Sequence, residues 1–149
     1  MEKIAVERSI WIDAPRERVW QAVTRPDALD RWYATYYRWD IPALKAGATV
    51  KFYNKDDPTD MQIATIEVVD PPREFTLRWQ PDQEYPAVTL VTRFLLQEEN
   101  GGTRATLIES GYELLPDGVR QKWLDATGGG YTMSMENLRA YVEGRSLPY

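Results

Sequence analysis

The chain opens on a two-residue alternation. In KIAVERSIWID, Ile4, Val6, Ile10 and Ile12 fall on one face and Glu7, Ser9 and Trp11 on the other, the mark of a half-buried strand. Arg8 interrupts the apolar face. The next stretch, DAPRERVWQAVTRPDALDRWY, changes to a helical period. Asp13 is placed to cap, Pro15 suits a first turn, and Val19, Trp20 and Val23 form an apolar stripe. Pro26 ends this helix and opens a short second one through Leu29 and Trp32.

From about residue 36 strands dominate. TVKFYN reads as one, KDDPTD as a turn, and MQIATIEVVD as the next strand, closed by Pro71 and Pro72. EFTLRWQ follows, then the long AVTLVTRFLLQEE and TRATLIESGY, joined by the hairpin signal Asn100-Gly101-Gly102. After Pro116 the period changes again. Val119, Trp123, Tyr131, Met135, Leu138 and Val142 fit a helix running to about Gly144, roughly 27 residues and about 40 Å long. Short turns between successive strands predict an antiparallel sheet. The expected fold is α+β: one domain over residues 1–149, with a curved sheet of about six or seven strands wrapped around a long C-terminal helix. Two short helices follow the first strand, and sheet and helix can enclose a cavity.

Composition narrows the chemistry. A chain of 149 residues buries roughly two-thirds of its unfolded surface, and six Trp, nine Tyr and three Phe supply much ring area for one core. The net charge is −5 and no basic run exceeds two residues, so no nucleic-acid partner is expected. No stretch approaches the ~20 apolar residues of a membrane span and MEKIAVERSI lacks the shape of a signal peptide, which makes the cytoplasm the expected location. There is no Cys for a disulfide. The absence of His removes the usual general base, the Ser-His and Cys-His nucleophile pairs, and the commonest transition-metal ligand. No metal or cofactor is expected, and any reaction would fall to Asp, Glu, Tyr, Lys or Arg. Asp56, Asp57 and Asp60 do not follow the spacing of a calcium loop, Pro58 intrudes, and the required Gly is missing; they read as a solvated turn.

Three stretches resemble a known family. DAPRERVWQAVTRPDALDRW resembles the Ala-Pro…Val-Trp…Thr-Asp-Pro…Trp opening of the SRPBCC (START-like, helix-grip) superfamily. VVDPPREFTLRW and GGTRATLIESGY resemble paired internal strands of its AHSA-type branch, named for activators of the heat-shock protein 90 ATPase. GYTMSMENLRAYVEG resembles that branch's last helix, with Tyr131 in place of the usual Trp. The resemblance implies a helix-grip domain with an internal pocket for a hydrophobic, ring-containing or lipid-like molecule. It also implies two alternatives, a co-chaperone that modulates the heat-shock protein 90 ATPase and a cyclase or hydrolase acting on a hydrophobic substrate. A monomer or a homodimer is compatible with it.

Within that frame the candidate ligand-binding residues are Arg8, Trp32, Phe52, Trp79, Phe94, Glu109, Gly130 and Met133. Arg8 and Glu109 are charges on apolar strand faces. They would either orient the polar end of a ligand, act as acid and base, form a structural ion pair, or stand exposed after a bulge shifts the register. The rings and Met133 are pocket-wall candidates whose ordinary role is plain core. Gly128-Gly129-Gly130 is not a phosphate loop, because it follows helical residues and no Lys comes after it. Glycine inside a helix costs roughly 1 kcal/mol relative to Ala. The run therefore predicts either a kink between two helical pieces or a wall thinned for a ligand. The face carrying Glu136, Arg139, Glu143 and Arg145 reads as the wet side of the last helix.

Overall fold

The structure, a computed structural model, describes residues 2–33 and 36–149. Seven strands, β1 (Ala5–Ile12), β2 (Tyr37–Asp40), β3 (Thr49–Asn54), β4 (Asp57–Asp70), β5 (Glu74–Trp79), β6 (Val91–Glu99) and β7 (Gly102–Ser110), form one sheet in the order β1-β7-β6-β5-β4-β3-β2. Every neighbouring pair is antiparallel. Two short helices, α1 (Arg16–Thr24) and α2 (Pro26–Trp32), follow β1, and α3 (Asp117–Val142) follows a single 3₁₀ turn at Tyr112–Leu114. The sheet curls into a half-barrel around α3, the helix-grip arrangement.

The β6–β7 hairpin shows how local chemistry sets the register. Asn100 and Gly101 both take positive φ, 50° and 78°, which a two-residue turn between right-twisted strands demands. Gly102 has a separate reason to be glycine. A Cβ there would stand 2.4 Å from the Ile12 carbonyl and 2.7 Å from the Trp11 ring. This close approach lets β1 lie along β7, with Ile12 opposite Thr103.

Several boundaries differ from expectation. Asp13 does not cap α1, whose N-cap is Pro15. Instead the Asp13 N–H donates to Glu143 Oε2 across 2.9 Å, tying the start of α1 to the end of α3. Glu143 is thus a structural tie and not merely a wet residue. The turn after β3 is only Lys55-Asp56, and β4 runs straight through Pro58. Proline is tolerated because β4 pairs there with β3 alone; its pairing with β5 starts at Ala64. β6 begins at Val91, four residues later than the apolar run suggests. Tyr37–Asp40, too short to show a period, forms the edge strand β2.

The triple glycine does not break the helix. α3 is continuous over 26 residues. Gly128 is buried against β1, where an added Cβ would come within 2.6 Å of the Arg8 guanidinium, whereas Gly129 and Gly130 face open space.

The core occupies one half of the concave face. There α1 and α2 press Trp20 edge-on to Phe75 and Trp32 edge-on to Phe94, while Phe75 stacks on Phe94. Trp32 keeps its polar atom satisfied by donating Nε1–H to the Ala22 carbonyl at 2.8 Å. From α3, Tyr131, Met135, Leu138 and Val142 complete the layer. Two bonds from α3, Ser134 Oγ to the Tyr33 carbonyl (3.2 Å) and Asn137 Nδ2 to the Trp32 carbonyl (3.3 Å), fix the end of α2 against the long helix.

Candidate functional site

The other half of the concave face is not filled. A cavity of about 600 Å³ lies there, within the 300–1,000 Å³ usual for small-molecule sites. Its walls come from Tyr33 after α2, Phe52 on β3, the first half of β4, Trp79 at the end of β5, the 80–90 segment and Trp123 on α3. Phe52 is the hub of the ring wall. Tyr33 meets it edge-on at 5.8 Å and Trp79 at 6.2 Å, with Trp39 behind it at 4.7 Å. Trp123 packs edge-on against Tyr85 at 6.1 Å, which anchors the 80–90 segment to α3. A smaller recess of about 270 Å³ shares Tyr33 and Glu109 with the cavity and reaches Thr127, Gly130, Tyr131 and Ser134.

Glu109 stands where the two spaces meet. It shares the concave face of β7 with buried Ala105 and Leu107. Its Oε1 accepts the Tyr112 hydroxyl at 2.5 Å, and its Oε2 accepts Thr92 Oγ1–H at 2.8 Å and Tyr131 Oη–H at 3.1 Å. Thr92 in turn accepts the Trp79 indole N–H at 2.9 Å. Three hydroxyls thus surround the carboxyl group. Among the described residues no Lys or Arg forms an ion pair with it.

The phenols respond to this. Burial first, and then the charge of Glu109, push the Tyr112 hydroxyl well above the ordinary tyrosine value. Tyr33 is raised by the same two causes in the same order, partly opposed by the Tyr131 hydroxyl beside it. Tyr131 is raised too, by burial, then by Tyr33 and Glu109. Each therefore remains a neutral hydrogen-bond donor throughout the ordinary pH range.

The structure brings together only part of the sequence-predicted set. Phe52, Trp79 and Glu109 line the cavity, and Gly130 lines the smaller recess. Trp32 and Phe94 go instead to the packed half, at 1% and 2% exposure. Met133 points to solvent, 44% exposed, because it lies two residues from both Tyr131 and Met135 and so on the opposite side of α3. Arg8 is exposed as well. Its Nε donates to Thr132 Oγ1 at 3.1 Å and its Nη1 to the Glu7 carbonyl at 2.8 Å, and Val6, not Arg8, stands across from Glu109. Arg8 and Glu109 do not form a pair. The aspartates of the β3–β4 turn do not gather either: Asp57 bonds Thr59, Asp60 accepts the Tyr37 hydroxyl, and no metal-holding cluster of three such residues exists among the described residues. No helix among them is long and apolar enough to cross a membrane.

Sequence reading missed Tyr33, Thr92, Tyr112, Trp123 and Tyr131 as site residues. Only Trp123 and Tyr131 carried a signal, as members of the α3 stripe. Thr92 and Tyr112 come to Glu109 through strand register and the 3₁₀ turn, which no local pattern reveals.

No curated protein matches this sequence. Among solved structures it is similar to the Mesorhizobium loti protein MLL2253 (21% identity, TM-score 0.78, covering 98% of this chain and 100% of that one). It is also similar to the Aha1 dimer from Colwellia psychrerythraea (17%, 0.71, 94% and 96%). A third is DynU16, a putative protein in the dynemicin biosynthetic locus (20%, 0.71), of which the chain spans about half, covering 97% of this chain and 49% of that one. These likenesses carry the helix-grip fold. The model of the family described as Activator of Hsp90 ATPase homolog 1-like protein matches residues 13–143. With the half-barrel, the gripped helix and the expected strand motifs all in place, the chain belongs to this AHSA-type branch of the SRPBCC superfamily.

Proposed function

We propose that this protein binds a hydrophobic, ring-containing small molecule between the sheet and α3. The observation that carries the reading is the cavity of about 600 Å³ walled by Tyr33, Phe52, Trp79 and Trp123, with the hydroxyl-held Glu109 carboxylate in its lining. Rings supply apolar area, worth about 25 cal/mol per Å² removed from water, and Glu109 with its hydroxyl neighbours fixes the polar end. Native mass spectrometry of protein purified without denaturation, combined with thermal shift against aromatic metabolites and lipids, tests it. A retained mass or a shift that Phe52→Ala and Trp79→Ala abolish is expected. No retained mass and no shift from any compound sinks the reading.

Family membership favours a second reading, modulation of the heat-shock protein 90 ATPase. Turnover of that ATPase measured with and without saturating protein decides it, and an unchanged rate removes it.

A further inference from the structure

The charge pattern of the cavity has one sign. Asp60, Asp82 and Glu109 all line it, and among the described residues no Lys or Arg does. None of the three carboxylates is neutralised by an ion pair among the described residues. Asp60 takes the Tyr37 hydroxyl at 2.7 Å, Asp82 takes the backbone N–H groups of Glu84 and Tyr85 at 3.0 and 2.9 Å, and Glu109 takes only hydroxyls. The rings of Tyr33, Phe52 and Trp79 line the same cavity as these carboxylates, and aromatic rings attract cations to their faces.

We propose that the ligand is a cation: a ring-bearing primary or secondary amine, bound protonated, with its ammonium on Glu109 and its ring against Phe52 and Trp79. The inference rests on the ligand-binding reading above and sharpens it. An anionic ligand would meet three carboxylates and no counter-charge. A neutral ligand would leave the three carboxylates that line the cavity without a counter-charge. An ammonium donates one N–H to the acceptor site that the three hydroxyls leave on Glu109, and places its charge beside a carboxylate whose partners are otherwise neutral.

Calorimetry with a matched series decides it: 2-(2-naphthyl)ethylammonium, 2-(2-naphthyl)ethanol and 3-(2-naphthyl)propanoate. The ammonium is expected to bind at least tenfold more tightly than the alcohol, and the carboxylate most weakly. In Glu109→Gln the preference for ammonium over alcohol should fall to within threefold. Raising the salt concentration should weaken the ammonium alone in the wild-type protein, a readout that does not depend on any variant folding. Equal binding of alcohol and ammonium, salt-independent ammonium binding, or a preference surviving in Glu109→Gln overturns the cation proposal and leaves the cavity reading standing. Failure of all three compounds to bind counts against both.

Discussion

The Tyr112 hydroxyl lies 2.5 Å from Glu109 Oε1, the shortest of the three bonds that hold this carboxylate. The ring of Tyr112 is fully buried, so the geometry is set by packing and not by the bond itself. Tyr112→Phe keeps that packing and removes the donor. A hydrogen bond to a charged group contributes about 1.5–3 kcal/mol, and the variant is expected to lose that amount in urea denaturation with an unchanged m-value.

The raised phenols predict the alkaline behaviour. Tyr33, Tyr112 and Tyr131 hold their protons in the folded state at pH values where an unfolded tyrosine, near 10, has lost its own. Their contribution to stability is therefore complete below about pH 10 and falls as pH rises beyond it, because the unfolded chain then binds fewer protons than the folded one. In a spectrophotometric titration the tyrosinate signal of these three should appear only with unfolding. Smooth titration of all nine tyrosines at the ordinary value in folded protein would contradict the burial of the cluster.

Gly129 and Gly130 have no neighbour that an added methyl would strike. Each Ala substitution should raise stability by up to about 1 kcal/mol, read as an increase in the denaturation midpoint. The two differ in function. Gly129→Ala is expected to leave ligand affinity unchanged, whereas Gly130→Ala places a methyl at the smaller recess and reduces it. Gly128→Ala should be near neutral, because the helical gain is offset by displacing Arg8 from Thr132.

Trp123 closes the cavity from α3 and is only half-buried. Trp123→Ala removes an aromatic pair with Tyr85, a loss of about 0.5–1.5 kcal/mol. Binding of a naphthyl probe should weaken about tenfold in calorimetry. An unaltered affinity would place the ring elsewhere.

How far the sequence could be read follows from what each feature depends on. The alternation from Ile4 to Ile12, the Asn100-Gly101 turn and the switch of period after Pro116 are local, and each became the expected element. The α3 stripe was local too, and Met133 never belonged to it; its spacing from Tyr131 already placed it on the outer side. The division of the concave face was not local. Trp32 and Phe94 look like Phe52 and Trp79 along the chain, and only the seating of α1 and α2 makes the first pair core and the second pair wall. Arg8 and Glu109 were equally suggestive as charges on apolar faces. Gly128 separates them, because its missing side chain lets the arginine lie along the helix and reach Thr132.

The order of these elements along the polypeptide has a consequence for biosynthesis. The sheet is complete at Ser110, yet the groove carrying Tyr33, Phe52 and Trp79 gains its roof only when Trp123 through Ser134 have left the ribosome. At about 5–20 residues per second that interval lasts about one to five seconds. Because a domain folds as a unit, the rings of Tyr33, Phe52 and Trp79 go without their helical wall for that interval.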